Sequence, residues 1–86
     1  MVNISGVDLN LLIVFDALMR ERNVTRAGEK IGLSQPAVSN ALNRLRHLVG
    51  DELFIRGPKG MRPTHRAMDM AGPVRQAMNN IESALS

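Results

Sequence analysis

The chain has no cysteine, no tryptophan and no tyrosine, and only two phenylalanines among its 86 residues. Without cysteine neither a disulfide scaffold nor a thiolate zinc site can be built, and a metal site would rest on His47 and His65, far apart in sequence. The lack of aromatic platforms argues against a protein that stacks the bases of single-stranded nucleic acid. The longest apolar run, residues 11–15, is far too short to span a bilayer, and the opening Met1-Val2-Asn3-Ile4 lacks the basic start of a secretory leader. A cytoplasmic protein without a membrane partner is expected. A chain of this length forms one small domain that buries a modest fraction of its surface, so a helper interface is expected as well.

Catalytic constellations are also lacking. Neither histidine has a serine or cysteine partner at a recognisable spacing, and Asp51-Glu52 read as a polar connection rather than paired catalytic acids. Gly57-Pro58-Lys59-Gly60 lacks the spacing and the following Ser or Thr of a phosphate-cradling loop. No catalytic residue, metal ligand or cofactor is assigned.

What is present is a concentration of positive charge. The net charge is +3, but residues 20–66 hold ten of the eleven basic groups and only four of the eight acids. This favours a polyanionic partner for the middle of the chain.

Within that middle lies the most informative stretch, residues 34–50, SQPAVSNALNRLRHLVG. Ser34 is a good N-cap, Pro36 sits where its missing N–H costs little, and Gly50 is a stop. Placing residues at about 100° intervals gathers Val38, Leu42, Leu45 and Val49 into one stripe. Pro36, Ser39, Asn40, Asn43 and His47 fall opposite, with Arg44 and Arg46 flanking them. An exposed face of amides and a hydroxyl, bordered by arginines, suits the DNA major groove, where amides pair with base edges and guanidiniums with phosphates.

The remaining elements fit around this helix. Asp8 is expected to cap a helix over residues 9–21, whose apolar side chains occupy more than one stripe. One side would pack on the domain and another on a second copy; the alternative is a central helix covered by its own neighbours. Thr25 is expected to cap a short helix over residues 26–31, stopped by Gly32. Only Gly32 and Leu33 separate it from Ser34, so the two helices cross sharply, as in a helix-turn-helix. Residues 53–56 and 61–63 read as two strands around the turn 57–60, a hairpin whose Arg56, Lys59 and Arg62 suit phosphates. Thr64 caps a last helix in which Ala67, Ala71, Val74, Met78, Ile81 and Leu85 form a heptad seam, bent at Pro73. The fold expected is therefore mainly α: a winged helix-turn-helix of three helices and a small β-hairpin wing over residues 1–64, then a linker or dimerisation helix over 65–86.

Taken together, Asp8-Leu9-Asn10-Leu11-Leu12, Val24-Thr25-Arg26-Ala27, Leu33-Ser34-Gln35-Pro36-Ala37-Val38-Ser39, Leu53-Phe54-x-Arg56 and Gly60-Met61-x-Pro63-Thr64 resemble the DNA-binding domain of LysR-type transcriptional regulators, in the branch of the nodulation and aromatic-catabolism regulators. The resemblance runs from Asp8 to the end of the chain. It implies a homodimer, often paired into a tetramer in full-length proteins, on an interrupted dyad in double-stranded promoter DNA, with base contacts carried onto Gln35, Pro36 and Ser39. Asn40 stands where many relatives have arginine. Gly28 replaces a commoner alanine, which either loosens its helix or lets a backbone approach closely. A larger C-terminal domain sensing a small-molecule inducer is implied beyond Ser86.

The site expected from residues and resemblance together has Gln35, Pro36, Ser39, Asn40 and Asn43 at bases. Thr25, Arg26, Ser34, Arg44, Arg46, Arg56, Lys59 and Arg62 are expected at phosphates. Leu12, Phe15, Ala71, Val74, Met78, Ile81 and Leu85 are expected at the dimer interface. The competing reading is a helical protein-interaction module whose basic face is incidental.

Overall fold

The computed structural model describes residues 2–86. A single 3-10 turn, Ile4–Gly6, leads into α1 (Asn10–Glu21), α2 (Val24–Ile31), α3 (Gln35–Val49), the antiparallel strands β1 (Phe54–Gly57) and β2 (Gly60–Pro63), and α4 (His65–Leu85). The order matches the winged helix-turn-helix expected from sequence.

Local chemistry explains most boundaries. Asp8 accepts the amide of Asn10 at 3.0 Å but lies one residue before the cap expected of it: Leu9, already helical in conformation, is the N-cap of α1 and makes no side-chain cap bond. The cap of α2 is Asn23 and not Thr25: the Asn23 side chain accepts from the Arg26 amide at 2.8 Å, and Thr25 is the exposed second residue of the helix. Both residue types can cap, and the position is decided by the turn before it, where Arg22 takes a left-handed conformation with φ 54° and leaves Asn23 extended. Ser34 caps α3 through the Ala37 amide, and Thr64 caps α4 through the Ala67 amide at 3.2 Å, both as expected. Gly32 and Gly50 end α2 and α3 as expected.

One core gathers all four helices and the hairpin. Leu11, Val14, Phe15, Ala17 and Leu18 of α1 meet Val24 and Ala27 of α2, Val38, Leu42 and Leu45 of α3, then Leu53, Phe54, Met61 and Ala67. The rings of Phe15 and Phe54 lie 5.7 Å apart, tilted by 56°, a favourable aromatic geometry at the centre. Gly28 serves close approach. A Cβ there would run into the carbonyl oxygen of Leu33, whose amide donates to the Gly28 carbonyl at 2.9 Å. The tight α2–α3 turn rests on that missing methyl.

The hairpin departs from the expected strands at its root. Leu53 is not in β1; it is fully buried with φ 63°, its amide donated to the Asp51 carboxylate at 2.8 Å and its carbonyl accepting from the Thr64 amide at 2.9 Å. These two bonds bend the chain so that Leu53 and Phe54 both enter the core. At the other end the Met61 amide donates to the Arg22 carbonyl at 2.8 Å, tying the wing to the α1–α2 corner. Gly60 has φ 112°, and a Cβ there would strike that same carbonyl. No other residue type meets both demands.

The last helix runs without a break from His65 to Leu85 through the exposed Pro73. Ala67 is in the core, and Met70 and Val74 pack against it. Arg75 bridges to Asp16 of α1 at 3.5 Å and to Glu82 at 3.5 Å. Beyond this the seam is open, with Ile81 52% and Leu85 83% exposed. Between α1 and α4 lies an open, largely apolar groove of about 640 Å³ lined by Leu9, Leu12, Ile13, Val74, Met78 and Ile81. Phe15 must be removed from the dimerisation set. It is 0% exposed and faces the domain's own core, so no second copy can touch it. The first helix thus has two apolar sides: one supplies the core, and the other, with Leu12, borders the groove.

Candidate nucleic-acid interface

The outward ridge of α3 is built by the same periodicity that buries Val38, Leu42 and Leu45. Gln35, Pro36, Asn40, Asn43 and His47 are exposed, and Ser39 is half-buried beside them. Ser34 stands at the N-terminal tip, its oxygen accepting from the Ala37 amide at 3.3 Å while its own hydroxyl hydrogen remains to be donated. The positive end of the helix dipole adds to this as an anion-favouring corner.

Cations surround the ridge unequally. Arg56, Lys59 and Arg62 are exposed on the wing, and no acid pairs with them among the described residues. Arg26 lies on the exposed side of α2 beside Thr25 and donates weakly, at 3.4 Å, to the Glu21 carbonyl. Arg44 pairs with Asp8 at 3.4 Å, an exposed ion pair that a phosphate could displace at small cost.

Arg46 belongs to a different group. Its Nε donates to the Glu52 carbonyl at 2.8 Å, Nη2 to the Phe54 carbonyl at 2.7 Å, and Nη1 to Asn43 Oδ1 at 3.1 Å. Two of its donors fasten the root of the wing to the end of α3 and a third is taken by Asn43 on α3 itself, so Arg46 is corrected from a phosphate contact to a structural clamp. Sequence reasoning placed it on a flank of the helix but had no signal for the two carbonyls that come to meet it.

A second clamp was also missed. Asp51 Oδ2 accepts from the Thr64 hydroxyl at 2.7 Å as well as from the Leu53 amide, and Thr64 in turn caps α4. The Thr64 hydroxyl, then the Leu53 amide, and more weakly the charge of Arg66 hold the Asp51 carboxyl below its ordinary value against the opposing effect of burial. Wing root and last helix are thereby joined at one carboxylate. A signal existed in the Asp and Thr, but their pairing across the hairpin is a tertiary fact.

Among the described residues no group of three or more His, Asp or Glu could hold a metal, and no helix is long and apolar enough to cross a membrane.

Comparison with known proteins agrees with this architecture. Residues 9–68 match the family described as "Bacterial regulatory helix-turn-helix protein, lysR family". The chain is 51% identical over 85 residues to the HTH-type transcriptional activator NagR of a Ralstonia species, covering 99% of this chain and 28% of that protein. Among solved structures, the probable transcriptional regulator PA0477 of Pseudomonas aeruginosa superimposes with a TM-score of 0.90 at 45% identity, over 95% of this chain and 28% of that one. Vibrio fischeri DarR, solved in complex with DNA, gives a TM-score of 0.82 at 29% identity, over 93% of this chain and 27% of that one. The chain spans about a quarter of the length of the curated relatives it matches.

Proposed function

Because the chain belongs to the lysR family of bacterial helix-turn-helix regulators, and is its DNA-binding part, we propose that it acts as a homodimer on an interrupted dyad in promoter DNA. The observation that carries this reading is the polar outer ridge of α3 flanked by wing cations that no acid neutralises among the described residues. A surface of that kind lowers the free energy of a polyanion and little else. The complex of DarR with DNA supports the same use of the fold.

Gln35, Pro36, Ser39, Asn40 and Asn43 face base edges. Thr25, Arg26, Ser34, Arg44, Arg56, Lys59 and Arg62 take phosphates and set the register. Leu12, Ala71, Val74, Met78, Ile81 and Leu85 lie along the α1–α4 side and meet the second copy, the last two being the most exposed. Residues 1–64 act as the reading head and 65–86 as the linker. In the whole protein the remaining three-quarters senses the small-molecule inducer, and dimers pair into tetramers. The role is binding, with no catalytic step.

A gel-shift titration over a salt series tests this. Duplex binding should weaken steeply as salt rises, and Arg56→Ala should flatten the log–log slope by about one unit, through loss of one phosphate contact. No shift on any duplex at low salt would leave the interaction-module reading in its place.

A further inference from the structure

One contact of the Arg46 clamp does not serve the wing: Nη1 donates to the side chain of Asn43, one turn earlier on α3. A guanidinium carries only donors, so the Asn43 atom facing it must be the carbonyl oxygen, and the amide cannot flip. The Asn43 nitrogen then keeps both hydrogens without a partner among the described residues, on an exposed side chain in line with Pro36, Asn40 and His47.

Resting on the DNA-binding reading above, we infer that Arg46 is a positioning residue for base readout: it holds the Asn43 amide as a donor pair, and the base opposite Asn43 is read as guanine. The major-groove edge of guanine offers two acceptors, N7 and O6, to two N–H groups. Adenine offers one acceptor and one donor, and its usual pairing with an asparagine needs Oδ1 turned to the same base edge as the amide nitrogen. Here the bond to Arg46 takes one of the two lone pairs of Oδ1 and turns that oxygen toward the C-terminal end of α3, so the free end of the amide is the nitrogen with its two N–H groups. The bond orients the amide before DNA arrives, which reduces the side-chain freedom lost at that position on binding.

Selection of bound sequences from random duplexes, with the 86-residue chain and three variants, tests the assignment. The unsubstituted chain should enrich guanine about five- to tenfold in one column of each half-site. Asn43→Ala should flatten that column alone. Asn43→Asp keeps an acceptor for Arg46 but loses both donors, and should turn the column to cytosine, whose N4 amine donates. Arg46→Met, shown by thermal melting to remain folded, should bring the guanine preference below about twofold as adenine enters; should it not fold, Asn43→Asp decides.

The inference is overturned if the column selects adenine in the unsubstituted chain, if Asn43→Ala leaves every column unchanged, or if folded Arg46→Met loses affinity on all sequences with the guanine preference intact. The last is what a purely structural arginine would give. Failure of the underlying reading looks different: no column is enriched with any protein.

Discussion

At the scale of single residues, the exposed ridge of α3 and the backbone beneath it make separable predictions. Gln35 is the first residue of α3 and is exposed. Gln35→Ala should weaken binding to the selected site by about 1 to 3 kcal/mol and leave random duplex nearly unchanged. Fluorescence anisotropy on both duplexes measures the difference, and equal loss on both would remove Gln35 from the base contacts. Gly60→Ala should cost stability and not sequence preference. It places a side chain at φ 112° and drives a methyl into the Arg22 carbonyl, and strain of this kind costs about 1 to 3 kcal/mol. Thermal or urea melting reads it directly; an unchanged midpoint would mean that the α1–α2 corner yields freely. Residues whose roles depend only on neighbours in sequence were legible beforehand, as Ser34, Gly50 and Thr64 show. Phe15 and Arg46 were not. Periodicity says that Phe15 has an apolar side of α1 around it, but not which of two apolar sides meets the core. Nothing near Arg46 in sequence announces that the Glu52 and Phe54 carbonyls will turn toward it.

At the scale of elements, the helix-turn-helix and wing were legible because their signals are local: caps, stops, a change of period after Gly50 and turn chemistry at 57–60. The exceptions are informative. Asn23 took the cap expected of Thr25, and Leu53 left the strand expected of it, in each case beside a non-glycine residue with positive φ, or as one. Such conformations are set by what the rest of the fold requires. The joint between wing and α4 has a consequence for acid stability. The Asp51 carboxyl is held below its ordinary 3.8 in the folded chain, so near that pH the unfolded state binds more protons. Its stabilising contribution is full above the unfolded value and is lost as pH falls through the folded one. Asp51→Asn should therefore lower Tm at neutral pH, with the gap from the unsubstituted chain closing as pH falls below the ordinary 3.8. A gap independent of pH would show that shape, and not charge, holds the joint.

At the scale of the whole molecule, the division of apolar surface separates what the domain needs for itself from what it can share. Ala67, Met70 and Val74 of α4 pack on the core, while Ile81 and Leu85 face outward. Charge introduced at Val74 would disturb the fold together with any assembly, so the outer seam is the cleaner probe. Ile81→Glu with Leu85→Glu should leave the melting curve nearly unchanged and halve the mass seen by light scattering. A mass that stays dimeric would move the self-association surface elsewhere on the α1–α4 side. The seam was readable from sequence as a repeat, but how far it docks on its own domain was not, because that depends on the core that α1 and the hairpin build together.

The bond from Met61 to Arg22 also bears on how the domain comes to be folded. A two-stranded hairpin is marginal alone in water, and this one gets its anchor from a residue at the far end of the helix-turn-helix. Joining segments so distant along the chain carries an entropic cost that local pairing cannot offset, while the three helices are linked by short turns and make close-range contacts. The helices are therefore the expected nucleus, and the wing is expected to lock onto them afterwards. The cations proposed for the DNA backbone, Arg56, Lys59 and Arg62, ride on that later-forming part, and a bound duplex would help to hold it shut.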